Sequence, residues 1–318
     1  MSLVFSNTTT AEEVATAFAD EIKGKNVLIT GTSLNGIGFE TARAIAKHAN
    51  LVVITGHNAE RLKLTEHAIK QEMPSANIRP LMLDLSSLAA VRKAAAEVNQ
   101  YREPLHVLIH NAAAPATDFK LTVDKLESQM ATDHIGPFLL TKLITAKILA
   151  AGTAHYTPRV VFISSIGHGS GAGVNFSTLG APDAEHFDPI DAYYQAKSAN
   201  VLTAIELSKR SKGLINAYSL HPGSKLHTPS NLSVSNESNH TFSYLYQYNA
   251  VRGPGYGSLE AMGFKTSADY SRRSDKPGSY LDDCKVANES IAPPSSDPAN
   301  AEKLWTLTEK IVGETFEF

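Results

Sequence analysis

An α/β fold built on a doubly wound parallel sheet, in three layers, is what this sequence predicts. Three observations carry the prediction. Short apolar runs rich in Val, Ile and Leu alternate with longer stretches of helical periodicity. A glycine-rich turn stands between the first such run and the first helical stretch. Far downstream a Tyr and a Lys lie four residues apart on a helical stretch, after a Ser-Ser pair that closes another apolar run.

Thr10-Ala-Glu-Glu13 carries the pattern of a capping box, so a short helix is expected within an N-terminal extension over residues 1–23. Apolar runs at 26–30, 51–55, 78–83, 105–110, 160–164 and 215–220 read as strands buried on both faces. Between them, 37–48, 59–73, 88–101, 123–151 and 191–212 space their apolar residues as helices do. Strands and helices alternating in this number imply crossover connections, hence parallel strands with helices on both faces. From 222 to 277 the regularity fails. That stretch is rich in Ser, Asn, Gly and Tyr, contains Tyr244-Leu-Tyr-Gln-Tyr248, and reads as an irregular substrate-loop region. Order resumes with a last strand at 278–281 and a last helix at 300–312. One domain over 1–318 accounts for the whole.

Composition narrows the function. Hydrophobic residues make up 42% and charged residues 19% of the 318, ordinary for a globular chain that buries a sizeable core. The net charge of −3, without a long basic block, argues against a nucleic-acid partner. Cys284 is the only cysteine, which excludes an intramolecular disulfide and any Cys-cluster metal site and suits a reducing, cytoplasmic setting. No apolar run approaches the ~20 residues of a membrane span, and no signal peptide is expected.

Thr30-Gly31-Thr32-Ser33-Leu34-Asn35-Gly36-Ile37-Gly38 directly follows the first strand and opens a helix. Glycines serve where the backbone turns sharply, where it meets a pyrophosphate and where helix and strand pack closely. The helix N-terminus offers free N–H groups to the anion. Tyr193 and Lys197, at i and i+4, project from one helix face, and the lysine ammonium favours the phenolate form that passes a proton at neutral pH. Tyr194 has only Ser198 at i+4 and is the competing candidate. Ser165, the second of the Ser pair, can hydrogen-bond a reacting oxygen; Ser164 is its alternative. A dinucleotide site, then a serine, then a tyrosine–lysine pair reads as a hydride-transfer enzyme of Rossmann type.

The glycine spacing resembles the Thr-Gly-x-x-x-Gly-x-Gly of the short-chain dehydrogenase/reductase family, with one residue inserted between Gly31 and Gly36. Further matches follow in order: Asp84-Leu85, similar to the adenine-pocket pair; Asn111-Ala112-Ala113, similar to the family's Asn-Ala-Gly turn; and Pro222-Gly223, similar to the turn beside the nicotinamide. The resemblance covers about two thirds of the chain and implies Ser165, Tyr193 and Lys197 as catalytic, with Lys197 also on the nicotinamide ribose. Asp133 stands where the family has an Asn that holds a proton-relaying water. An Asp there either continues the relay and pairs with Lys197, or is a mid-helix carboxylate facing water. The insert at 167–190 resembles the retinol-dehydrogenase-like and fungal branches, whose substrates are lipophilic alcohols, aldehydes and ketones.

The second strand ends without the carboxylate that binds NAD ribose hydroxyls. His57 stands where NADP-using members carry Arg, with Asn58 beside it and with Arg61 and Thr32 as possible helpers, so NADP is favoured and NAD is the alternative. His57 as a plain polar residue at a helix start is the other reading. The stretch 265–277 is too polar for the helix the family usually packs before its last strand. The function expected is hydride transfer between NADP(H) and a small-molecule carbonyl or alcohol, with a homo-oligomer possible. The competing class is a cofactor-binding regulatory or catalytically degenerate relative; a metal-dependent dehydrogenase has no matching ligand spacing here.

Overall fold

The computed structural model describes residues 9–222, 276–282 and 285–318. The chain runs α1 (Ala11–Ala17), α2 (Ala19–Ile22), β1 (Asn26–Ile29), α3 (Ile37–Ala46), β2 (Leu51–Gly56), α4 (Ala59–Glu72), β3 (Ile78–Met82), α5 (Leu88–Gln100) and β4 (Val107–His110). It continues through α6 (Ser128–Met130), a π-helical turn (Ala131–Ile135), α7 (Gly136–Leu149), β5 (Arg159–Ile163), a 3-10 turn (Ile166–Gly169), α8 (Pro189–Arg210) and β6 (Asn216–Leu220). It closes with β7 (Tyr280–Asp282), β8 (Lys285–Val286), α9 (Pro293–Ser296) and α10 (Pro298–Val312). The strand order is β3-β2-β1-β4-β5-β6-β7-β8, parallel except for β8. The order reverses between β1 and β4, which opens a crevice at the strands' carboxyl ends.

Strand side chains alternate between two cores. Leu28, Val53, Leu108, Val160 and Phe162 face α5, α7, α8 and α10; Val27, Ile29, Val52, Ile54, Ile109 and Val161 face α1, α3 and α4. This double burial is why the strands read as unbroken apolar runs. The capping box at Thr10 forms as expected, with Thr10 Oγ1 accepting from Glu13 N–H and Glu13 accepting from Thr10 N–H. On the far face Phe138 meets Trp305 edge-on at 4.8 Å, and both rings touch Phe316.

The sequence-based helix over 123–151 is corrected. Lys125 adopts φ +60°, and Leu121 bridges to Glu127, so the chain turns before it coils. Glu127 then caps the new start, accepting from Gln129 and Met130 N–H groups at 2.8 Å each. Pro137 offers no N–H to the Asp133 carbonyl, and the coil widens to a π turn there. Apolar spacing runs through all of this undisturbed. β8 and the 3-10 turn after Ser165 were not anticipated. The irregular region of 222–277 lies, apart from Pro222, Lys276 and Pro277, outside the described residues, as does Gly223.

Two imidazoles are sealed in the far-face core. His110 Nε2 meets Thr141 Oγ1 at 2.7 Å, and His134 lies between Thr308 and Thr203 hydroxyls at 2.9 and 3.3 Å. Burial pushes both down to about 3 from the ordinary 6.5. The unfolded chain therefore takes up protons below pH 6.5 that the native state refuses. Stability is full above that value and is lost as pH falls toward 3, by up to about 1.4 kcal/mol per pH unit for each ring. Urea midpoints at pH 7 and pH 5 should differ accordingly, and His134→Gln should flatten the slope. A slope unaffected by that substitution would exclude a neutral buried His134.

Candidate active site

The crevice is built around a close approach of two loops. Gly31 has φ +71°, and a Cβ there would lie 2.7 Å from Ala112 Cα. A Cβ on Gly38 would strike the Asn111 amide and come within 2.6 Å of the Gly31 carbonyl oxygen. Asn111 Nδ2 donates to the carbonyls of Thr30 and Gly31, both at 2.9 Å. Thr30 Oγ1 in return accepts from the Asn111 and Ala112 N–H groups at 3.0 Å. Asn111 thus ties the first strand's loop to the fourth's. The inserted residue is absorbed in a β-turn: Gly36 N–H reaches Ser33 O at 3.1 Å and Asn35 takes φ +62°. Helix α3 still begins at Ile37 with Gly36 at its cap, so its first N–H groups face the crevice.

At the end of β2 a small cavity is lined by Thr32, Ser33, His57, Asn58 and Arg61 among others. Ser33, His57 and Arg61 are exposed. Thr32 lines this cavity with its hydroxyl buried and donating to Thr55 O at 3.1 Å, which leaves it no proton to offer a bound group. Asn58 Oδ1 is occupied capping α4, accepting from Arg61 N–H at 3.0 Å. Ser33 lines this cavity although nothing but the inserted residue in its loop marked it in the sequence. Asp84 Oδ1 is likewise engaged locally, by the Ser86 N–H and hydroxyl. Leu85 is buried, with its carbonyl pressed so close to Gly136 that a Cβ there would collide. Ala113 is exposed at the crevice, and Pro222 is buried at the end of β6.

Ser165, Tyr193, Lys197 and Asp133 converge from three elements. The Ser164 hydroxyl is spent on the Lys197 carbonyl at 2.7 Å, which removes it as an alternative to Ser165. Ser165 Oγ accepts from Gly167 N–H at 3.0 Å, leaving its own proton to donate. Gly167 lies so tightly between the aromatic rings that a Cβ would be 2.9 Å from Tyr194 and 3.1 Å from Tyr193. Lys197 Nζ stands 5.4 Å from the centre of the Tyr193 ring.

Lys197 Nζ donates to Asp133 Oδ2 at 2.9 Å, and their side chains are 5% and 0% exposed. The water-facing alternative for Asp133 is therefore excluded. The ammonium's second contact is the Ile163 carbonyl at 3.4 Å, and Asp133 Oδ1 accepts from Ala114 N–H at 2.7 Å. Burial pulls the Lys197 ammonium down, but the Asp133 carboxylate outweighs it and holds it above the ordinary lysine value. Burial lifts the Asp133 carboxyl, against the pull of Lys197 and the Ala114 N–H. Ala114 too was missed from sequence, where nothing marked its N–H as a partner.

The fold is of the doubly wound class, with a glycine-rich crevice of the dinucleotide-binding type at the point where the strand order reverses. Residues 25–178 match the short chain dehydrogenase family profile. A short-chain dehydrogenase of Brassica napus, TIC 32 A, chloroplastic, is 32% identical, over 97% of this chain and 94% of that one. The chain belongs to the short-chain dehydrogenase/reductase family. Among solved structures, an uncharacterized protein from Mycobacterium paratuberculosis superposes with a TM-score of 0.69 at 25% identity, covering 94% of this chain and 98% of that one. The Pseudomonas aeruginosa RhlG/NADP active-site complex shares the fold with a TM-score of 0.58 at 18% identity, over 81% and 94% of the two chains.

Asp133→Ala should cost about 3–5 kcal/mol, because it strands a buried ammonium. Asp133→Asn, which keeps an oxygen for the Ala114 N–H, should cost less. Denaturant unfolding of the two variants beside wild type checks this; equal loss in both would show that the charge itself is indispensable to the fold.

Proposed function

We propose that this protein is an NADP(H)-dependent oxidoreductase that interconverts a carbonyl compound and its alcohol. The single observation that carries the reading is the cluster of Ser165, Tyr193 and Lys197 beside the glycine cradle. When bound, the dinucleotide supplies or takes up the hydride. The free proton of Ser165 orients the substrate oxygen, and Tyr193 gives that oxygen its proton in reduction or removes it in oxidation. Lys197 supplies a positive charge beside Tyr193, and its ammonium has three N–H groups. Asp133 and the Ile163 carbonyl engage two, which leaves one direction for a ribose hydroxyl. Asp133 holds Lys197 and takes the place of the family's relay Asn. A bound dinucleotide is supported by the uncapped N-terminus of α3, whose first N–H groups face the crevice, while Gly31 and Gly38 let the loops of β1 and β4 meet beneath it.

Preference for NADP over NAD is supported by Ser33, His57 and Arg61 around the cavity at β2, and by NADP in the RhlG complex. A lipophilic substrate, as in the retinol-dehydrogenase-like and fungal branches, is supported by Ile166. It directly follows Ser165 and is 57% exposed. The insert behind it is ordered against the segment after β4, with Phe119 and Phe187 edge-on at 5.2 Å. Cys284 as the sole cysteine suits a reducing compartment, and a cytoplasmic site of action belongs to the same reading. The second reading, a cofactor-binding protein without turnover, is favoured by one observation: Asp133 neutralises the charge of Lys197.

NADPH oxidation with a panel of aliphatic and aromatic aldehydes and ketones separates the two readings. Tyr193→Phe should abolish most turnover and leave NADPH affinity nearly unchanged, since the hydroxyl supplies the proton and the ring the packing. Wild-type rates in that variant would end the assignment. His57→Arg should shift preference toward NADPH over NADH by about tenfold or more, the size of one charge-assisted hydrogen bond. An unaltered ratio of the two dissociation constants would remove His57 from the 2′ position.

A further inference from the structure

We infer that His168 is a positioning residue for Ser165, acting through a hydrogen bond from its ring to the serine carbonyl. This rests on the proposal that Ser165 orients the substrate oxygen. His168 is 3% exposed, and its Nδ1 lies 2.5 Å from Ser165 O. A carbonyl oxygen can only accept, so the ring proton sits on Nδ1. The His168 backbone N–H reaches the same oxygen at 3.2 Å, so one residue grips the Ser165 carbonyl twice.

That grip closes the short turn which brings Gly167 N–H to Ser165 Oγ. With that lone pair occupied, the hydroxyl proton is left for a different acceptor. The same turn seats Gly167 against the rings of Tyr193 and Tyr194. Serine geometry and tyrosine ring position are thus set by one four-residue loop, and His168 is its latch. The latch is itself backed on two sides. Its ring lies 4.7 Å from that of Tyr280 on β7. Ser295 donates to the His168 carbonyl at 3.1 Å and meets Ser198 of α8 at 2.7 Å, three residues beyond Tyr194's neighbour Gln195. The loop is therefore clamped to the helix that carries Tyr193 and Lys197. The plain alternative is that His168 merely fills volume beneath β7.

Three substitutions in the full chain separate the two. In His168→Asn the amide nitrogen falls where Nδ1 stood, and the donor is kept. In His168→Gln the amide extends to the place of Nε2, and in His168→Leu the donor is gone while bulk remains. With one carbonyl from the panel, Gln and Leu should lower kcat about tenfold, the worth of one hydrogen bond. NADPH affinity should hold, and Asn should recover most of the rate. Wild-type kcat in the Leu form, or an Asn form no better than Gln, overturns the inference. Should the Leu form fail to fold, Asn against Gln decides alone. If wild type binds NADPH yet turns over no carbonyl, the reductase reading fails instead. The latch is then read from the Gly167 amide proton by NMR, expected to shift in Gln and Leu and to return in Asn. An amide proton unmoved in every variant overturns the inference independently of activity.

Discussion

The ion pair of Lys197 and Asp133 is the interaction on which the site's arrangement depends. Two charges removed from water tolerate each other only while every remaining donor and acceptor is matched. Here the matching draws in four parts of the chain: α8 through Lys197, the π turn through Asp133, the loop after β4 through the Ala114 N–H, and β5 through the Ile163 carbonyl. None of them can shift without uncovering a charge. The π turn is the geometric condition, since it brings Asp133 inward at the point where Pro137 interrupts the backbone bonding.

The cradle is held by neutral bonds and by absent atoms. Gly31, Gly38 and Asn111 bring the loops of β1 and β4 into contact, so the crevice forms where the strand order reverses. Charge is concentrated at the Lys197–Asp133 pair, and neutral side-chain and backbone bonds shape the glycine turn. A substitution in the first group changes electrostatics, and one in the second changes whether the loops meet at all.

The strands were legible because burial on both faces writes them as uninterrupted Val, Ile and Leu. The glycine turn and the Tyr193–Lys197 pair were legible because each depends on spacing within one element. The helix over 123–151 was misread because apolar periodicity records which side faces the core and is blind to the left-handed Lys125 and to the widened turn at Asp133. Thr32 looked available because a hydroxyl's partner, here the Thr55 carbonyl on a different strand, is a tertiary fact. His168 carried no signal for the same reason: its partner is a backbone carbonyl three residues away, and only the fold decides that the ring turns back toward it.

Helix α8 bears both catalytic candidates, yet residues near the far end of the chain complete its surroundings. Trp305 and Leu304 of α10 lie in the core it shares, Ser295 bonds Ser198, and Thr308 bonds His134 in the π turn next to Asp133. During synthesis the residues of the glycine cradle, 26–112, emerge first. The surroundings of the Tyr193–Lys197 pair are complete only after about two hundred further residues. The order of the sequence therefore places the residues that complete the surroundings of α8 last, long after those of the glycine cradle.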